Sequence, residues 1–305
     1  MKTTEPVYLK NGKEIEEKCL EWASSSLKNC HVCPRQCNVN RLENKKGHCK
    51  IGQYARVSSA FPHYGEESCL VGWRGSGTIF FSGCNLNCVF CQNFEISQYP
   101  EGPEYSPEII AQVMLNLQSL GCHNINLVSP SHVVPQIIES LIIAKKEGLT
   151  IPIVYNTNAY DSLETLKILE YWVDIYMPDF KYWDSETSFK YSNAKDYPEI
   201  ARATIKEMHR QVGDLVITSD GIARHGLLVR HLVMPGMLNQ TEEILRWFAT
   251  EISINTYINI MEQYRPSYKV PGTPEYSGIS RQPTPEEIRE AFNMAKSYGL
   301  WRFAE

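Results

Sequence analysis

The sequence predicts an α/β protein, an open partial barrel of six βα units with an N-terminal cysteine-rich extension, and three observations predict it. Beyond residue 76, short β-branched or aromatic runs alternate with longer runs of helical period, the signature of βα units on a mostly parallel sheet. Six units can be read, fewer than the eight that close a barrel, so the sheet should curl without closing and carry its chemistry at the C-terminal strand ends. Nine of the ten cysteines fall between Cys19 and Cys91 and the tenth is Cys122, which sets the front of the chain apart. Residues 1–75 are therefore read as a cysteine-rich metal-binding segment and residues 76–305 as the barrel.

The first strand is predicted over 78–81, a run of Thr, Ile and Phe. A helix follows over 106–120, with Pro107 in its first turn where no N–H is needed. The second strand, over 124–128, leads to a helix over 133–147 that Gly148 closes. Strands over 151–155, 173–177, 227–234 and 254–261 complete the six, and helices over 162–171, 197–212, 240–251 and 284–298 separate or follow them.

Composition narrows the function classes. The chain has 305 residues, 30 Lys+Arg against 35 Asp+Glu, a net charge of −5 and 43% hydrophobic residues. With ordinary Gly and Pro contents, this excludes disordered, collagen-like and coiled-coil proteins. A mildly acidic chain has no overall field to hold nucleic acid or an anionic membrane. No apolar run approaches the ~20 residues that span a bilayer, and residues 1–21 lack the apolar stretch of a signal peptide. A cytoplasmic location is expected, where thiols stay reduced, so the cysteines point to metal ligation or redox chemistry rather than disulfides.

Immediately after the first strand comes Ser82-Gly83-Cys84-Asn85-Leu86-Asn87-Cys88-Val89-Phe90-Cys91, a CxxxCxxC run on a loop at the catalytic rim. Soft thiolates so close together suit iron–sulfur or zinc ligation. Structural zinc takes four protein ligands and an ordinary iron–sulfur cube four cysteines, whereas this loop offers three. A zinc knuckle would have to borrow a distant fourth ligand, such as Cys69 or Cys122. A four-iron, four-sulfur (4Fe–4S) cluster on three cysteines instead leaves one iron open to a small chelating molecule.

The run and its place after the first strand closely resemble the signature of the radical S-adenosylmethionine (SAM) superfamily. The resemblance implies a reduced cluster that passes one electron to the sulfonium of SAM, giving methionine and a 5′-deoxyadenosyl radical that takes hydrogen from a substrate. It also implies a flavodoxin- or ferredoxin-type electron donor. Gly83 lets the backbone turn sharply off the strand, and Phe90 can offer an apolar face to adenine.

Further along, the sequence is similar to the pyruvate formate-lyase activating enzyme and its uncharacterised relatives. Asn156-Thr157-Asn158-Ala159 resembles their Asp-Thr-Asn-Gly, and Met177-Pro178-Asp179-Phe180-Lys181 their Met-Leu-Asp-Leu-Lys. In that family these loops line the SAM pocket and hold a monovalent cation, a role that Asn156 and Ala159 alter here. Arg230-His231-Leu232-Val233-Met234-Pro235-Gly236 resembles Arg-Tyr-Val-Val-Val-Pro-Gly, and an Arg fork matches the SAM carboxylate. Ser129, or a backbone carbonyl, stands in for a glutamate that meets the SAM amine in many relatives. The resemblance thus assigns Phe90, Ser129, Asn156, Asn158, Asp179, Lys181 and Arg230 to SAM. Bland alternatives are a rim ion pair for Asp179 and Lys181, turn formation for the asparagines, and a solvent-facing charge for Arg230.

Upstream lies Cys30-His31-Val32-Cys33-Pro34-Arg35-Gln36-Cys37, with Cys49 after Gly47-His48. Four thiolates can close a site completely, as structural zinc or as an auxiliary iron–sulfur cluster. Basic flanking residues, Lys28, Arg35, Arg41, Lys45, Lys46 and Lys50, offset the charge of a thiolate-bound metal. One branch of the activase relatives carries a comparable CxxCPRxC front. Cys19, Cys69 and Cys122 read as isolated buried thiols. Glu262-Gln263-Tyr264-Arg265-Pro266 should point to the barrel mouth, with Tyr64, Trp73 and Tyr268 as a candidate aromatic wall.

The leading expectation is a radical SAM enzyme acting on a protein or peptide, in the manner of a glycyl-radical activase. A competing expectation is a non-catalytic zinc or iron–sulfur adaptor. A third keeps the radical chemistry and gives it a small metabolite.

Overall fold

The structure is a computed structural model that describes residues 5–304; residues 1–4 and 305, the extreme ends of the two expected segments, lie outside the described residues. The six expected strands run parallel, in the order expected. They are β2 (Ser76–Phe81), β4 (Ile125–Val128), β5 (Ile153–Thr157), β6 (Ile175–Pro178), β8 (Ala223–Leu232) and β9 (Tyr257–Met261). The sheet does not close. Its first parallel strand is covered by an antiparallel neighbour, β1 (Ala55–His63), itself paired with the short β3 (Glu104–Tyr105). Its last is extended by β10 (Arg302–Phe303), and β7 (Val216–Ile217) pairs with the start of β8.

Apart from α7, the helices of the barrel fall where the 3.6-residue period places them. Between β3 and β6 lie α4 (Pro107–Ser119), α5 (Val134–Lys146) and α6 (Leu163–Leu169), and further on come α7 (Ser185–Ser192), α8 (Tyr197–Val212), α9 (Leu238–Trp247) and α10 (Pro285–Ser297). Gly148 ends the α5 segment at φ +101°, a conformation only glycine adopts at little cost. The expected helix over 240–251 begins earlier and passes at Phe248 into a π-helical turn that ends at Ile252.

Besides the short strands β3, β7 and β10 and helix α7, the unpredicted elements include β1, α1 (Lys13–Lys28), α2 (Ser68–Val71) and the one-turn α3 (Phe94–Gln98) after the CxxxCxxC loop. Helix α1 lies on α5, fixed by an ion pair of Glu16 with Lys145 at 2.9 Å. The cysteine-rich front is thus bound to the barrel's flank and, through β1, hydrogen-bonded to its edge.

Strand alternation decides what faces the barrel axis. Val154, Ile175, Met177, Leu228 and Tyr257 pack with Cys69 and Leu70 of α2, which fills the bottom of the barrel. One step up the same strands come Asn156, Asp179 and Arg230, facing the open end. An apolar floor therefore carries a polar layer above it.

Candidate active site and a second thiol cluster

The C-terminal strand ends open on a cleft of about 190 Å³, lined by Cys84, Cys88, Cys91, Ser129, Asn156, Asn158, Asp179, Lys181 and Arg230. Of the expected site residues outside the upstream cysteines, only Phe90 is absent from this lining. Each thiol has a polar neighbour. The Leu86 N–H points to Cys84 Sγ at 3.4 Å, Ser192 Oγ donates to Cys88 Sγ at 3.0 Å, and Ser97 Oγ lies 3.2 Å from Cys91 Sγ. Asn158 Nδ2 reaches both Cys84 Sγ, at 3.4 Å, and Asn85 Oδ1, at 2.8 Å, so the turn after β5 braces the loop after β2. Burial pushes the Cys84 thiol up to about 12 and Cys88 to about 11, the latter opposed by the Lys181 ammonium. Protein surroundings alone therefore do not ionise these thiols, and a bound metal would have to. Cys69 and Cys122, the conceivable lenders of a fourth thiol, do not line the cleft.

The polar layer is a buried ion network. Asp179 accepts from Arg230 Nε and from Lys181 Nζ, each at 2.7 Å, and Arg230 Nη2 donates to Asn156 Oδ1 at 2.8 Å. Burial would raise the Asp179 carboxyl, but Arg230 and Lys181 outweigh it and hold the group at about 2. Burial likewise opposes the Lys181 charge, and Asp179 restores it, leaving the ammonium above its ordinary value. From below, Glu66 and Glu67 in the turn after β1 approach Arg230 Nη1 at 3.5 and 3.8 Å. Burial raises the Glu66 carboxyl, opposed by Arg230 and reinforced by Glu67. Sequence reading missed these two acids, because they act only through an unpredicted strand and the α2 plug.

Ser129 sits at φ +55° and Ala159 at +61°, both in the left-handed region at strand-end turns. Ala159 occupies the place of the glycine in the activase motif, and its backbone keeps a glycine-like conformation. Phe90 is buried edge-on against Tyr264, at 5.8 Å, and Tyr182, at 6.4 Å. It lines a second space of about 240 Å³ with Leu232, Met261 and Gln263, one that shares Cys88, Cys91, Asp179, Lys181 and Arg230 with the cleft. Gln263 thus reaches the mouth, while Tyr264 turns inward and donates to Ile279 O at 2.6 Å. Tyr268 stacks on Phe94 beyond the loop. Trp73 packs on His123 at the start of β4, the opposite end of the barrel, so it forms no mouth wall. His132 and His231 are buried and hydrogen-bonded, to Ser82 O and to Phe180 O, and burial lowers each to about 4.

The upstream cysteines Cys30, Cys33, Cys37 and Cys49 line one enclosed pocket together with Arg35, Arg41, His48 and Asn85. Burial pushes Cys33 up to about 12. Cys19, Cys69 and Cys122 are each buried apart, Cys19 accepting from Trp172 Nε1 at 3.4 Å. Among the described residues, no three His, Cys, Asp or Glu side chains are gathered as ligands of a single ion. Nor is any described helix long and apolar enough to cross a membrane.

The description of the Radical SAM superfamily matches residues 78–248, from β2 to the end of α9. An uncharacterised protein of Methanocaldococcus jannaschii, MJ0674, is 36% identical over 92% of this chain and 78% of its own length. A second from the same organism, MJ0808, is 26% identical over 89% of this chain and 78% of its own. Among solved structures, Streptococcus suis SuiB bound to precursor peptide SuiA is similar in fold, with a TM-score of 0.50 and 14% identity. That match covers 73% of this chain and 46% of SuiB. With a superfamily match over more than half the chain, laid over the strands that carry the CxxxCxxC loop and the polar layer, the chain belongs to the radical SAM superfamily and is an enzyme of that kind.

Proposed function

We propose that Cys84, Cys88 and Cys91 hold the cluster at which this enzyme cleaves SAM, and that the resulting radical acts on a protein or peptide reaching in through the barrel mouth. The carrying observation is that three thiols and one ion network line the same cleft. The residues fit the group: three soft ligands on one loop leave a fourth position open, and a fixed charge layer stands beside it. When bound, a 4Fe–4S cluster with SAM supplies one-electron cleavage to methionine and 5′-deoxyadenosyl radical.

The chain's own residues bind and orient. Arg230 already donates to Asp179 and Asn156, which makes it a positioning residue rather than a free fork for the SAM carboxylate. Lys181 uses one N–H on Asp179 and keeps others, so it is the cation with capacity for that carboxylate. Ser129 and Asn156 line the wall toward the amine, and Asn158 holds Cys84 in place. Asp179 stays ionised throughout the physiological range and keeps both cations aimed into the cleft. Phe90 walls the passage from cleft to mouth.

A peptide substrate is supported by an open mouth continuous with the cleft. The fold neighbour SuiB, which binds a precursor peptide, is in keeping with it. Four further thiols in one pocket support a second metal site. The test is anaerobic reconstitution, reduction and addition of SAM, with 5′-deoxyadenosine as readout. The wild type should form it, and Cys84→Ala/Cys88→Ala/Cys91→Ala should form none. Deuterium from a labelled peptide should appear in 5′-deoxyadenosine; label arriving only from small metabolites would overturn the peptide reading.

A further inference from the structure

We propose that Cys30, Cys33, Cys37 and Cys49 hold a second, redox-active iron–sulfur cluster, which shares one wall with the Cys84 loop and delivers electrons to it. The electron-delivery half rests on the role given above to Cys84, Cys88 and Cys91; the identity of the second site does not.

The first support is the ligand set. Cys30, Cys33 and Cys49 are buried around one pocket and Cys37 closes its half-exposed side. Four thiolates complete a cluster and leave no iron open, which suits an electron carrier and not a substrate chelator. The His48 N–H points to Cys37 Sγ at 3.4 Å, the same kind of contact that Leu86 makes with Cys84.

The second support is charge. Arg41 is only 1% exposed, and both its hydrogen-bond partners are backbone carbonyls: Gly52, from Nε at 2.9 Å, and His132, from Nη1 at 2.7 Å. Among the described residues its Nη2 has no hydrogen-bond partner, nor do Arg35 Nη2 and His48 Nε2, and all three residues line the thiol pocket. A buried guanidinium without a counter-charge is strongly unfavourable. Four thiolates around iron carry net negative charge and place it where these three donors converge.

The third support is contiguity, which favours a redox metal over zinc, a metal with no redox chemistry. Cys84 lies between Gly83, packed against the Cys49 backbone, and Asn85, which lines the second pocket. On one side Gly83 is so close to Cys49 that a Cβ there would sit 2.6 Å from the Cys49 carbonyl oxygen. On the other, Asn85 lines the pocket and accepts from Arg35 Nε at 2.8 Å. The residues on both sides of Cys84 thus join the two thiol sites. In the step inferred, a one-electron donor reduces the second cluster and is itself oxidised. That electron moves to the first site and ends on the SAM sulfonium as its carbon–sulfur bond breaks, which returns the second cluster to its starting state.

The deciding protein is Cys84→Ala/Cys88→Ala/Cys91→Ala, reconstituted anaerobically with iron and sulfide. It should retain about four irons per chain and, on dithionite reduction, give an electron paramagnetic resonance signal that SAM leaves unchanged. One zinc per chain, or no metal, overturns the proposal. The wild type should hold about eight irons and show one signal that responds to SAM and one that does not. Reduced, freed of excess reductant and given SAM, it should yield two equivalents of 5′-deoxyadenosine as both signals vanish. One equivalent with a persisting signal overturns electron delivery. If the wild type makes no 5′-deoxyadenosine while the triple variant keeps its SAM-blind cluster, the second site stands and the reading of the first falls.

Discussion

The two thiol sites adjoin at the Cys84 loop yet are built on opposite electrostatic plans. Around Cys84, Cys88 and Cys91, charge is balanced within the protein: Arg230 and Lys181 face Asp179, with Glu66 and Glu67 below. Around Cys30, Cys33, Cys37 and Cys49, Arg35 Nη2, Arg41 Nη2 and His48 Nε2 are buried with no hydrogen-bond partner among the described residues. A site that must admit and release a charged ligand benefits from a charge layer that is complete without it. A site that keeps its metal can leave its cations to be neutralised by that metal. The difference therefore reads as exchangeable against resident.

Two arginine substitutions would break this comparison most directly, and they carry the largest expected effects. Arg230→Met removes one partner of a buried carboxylate network and should destabilise the protein by about 3–5 kcal/mol whether or not metal is present, since Asp179 is left short of its main counter-charge. Arg41→Met, close in volume, should cost more with metal than without. Without metal, removal of an unpaired buried charge offsets the loss of the bonds to Gly52 O and His132 O; with metal, the charge pairing and those bonds are lost together. Denaturant unfolding of both variants, metal-free and reconstituted, checks this. Equal effects of Arg41→Met in the two states would dissolve the distinction between the sites.

Gly83→Ala should be next in size, because it acts on the shared wall. The residue has φ +83°, costly for alanine, and the added Cβ meets the Cys49 carbonyl. A loss of about 2–3 kcal/mol is expected, and iron should fall at both sites together. Iron lost from one site only would show that the wall does not couple them.

How much of this was legible beforehand depended on whether a residue's meaning is local. The six parallel strands were readable because β-branched runs such as Thr78-Ile79-Phe80-Phe81 declare themselves over a few residues. The cysteines were readable because ligand spacing is local too. The motifs point to Arg230 and Asp179 as SAM contacts, but nothing local shows that the two pair with each other. Glu66 and Glu67 were invisible, since nothing in their neighbourhood says that the following turn plugs a barrel. Arg41 was noted only as one of several basic residues; its 1% exposure is a product of packing against Gly52 and His132.

A pH scan sharpens the comparison with a smaller effect. His231 donates from Nδ1 to Phe180 O, next to Asp179, and accepts from Thr241 at Nε2. Burial lowers it from the ordinary imidazole value of 6.5 to about 4. Protonation thus favours the unfolded chain, so the stability from this group is complete above pH 6.5 and is lost as pH falls toward 4. By pH 5 the loss should be roughly 2 kcal/mol. In the metal-free protein, His231→Asn should flatten that part of the stability profile, and an unchanged profile would show that the ring is not held neutral beneath the open site.

The smallest effect belongs to a residue remote from both thiol sites. Thr284 caps α10, its hydroxyl accepting from the Glu287 N–H at 3.2 Å while the Glu287 carboxylate accepts from the Thr284 N–H at 2.8 Å. Glu287 also accepts from the Gly236 N–H at 2.8 Å, and so ties the turn after β8 to α10. Thr284→Ala removes the hydroxyl and leaves the carboxylate on Gly236, so about 1 kcal/mol should be lost without displacing β8 or Arg230. Iron content and both resonance signals should match the wild type. If a loss of that size at a distant cap also lowered iron at the four-cysteine site, the metal would be tracking overall stability, and the effects of Arg41→Met and Gly83→Ala could no longer be assigned to the sites themselves.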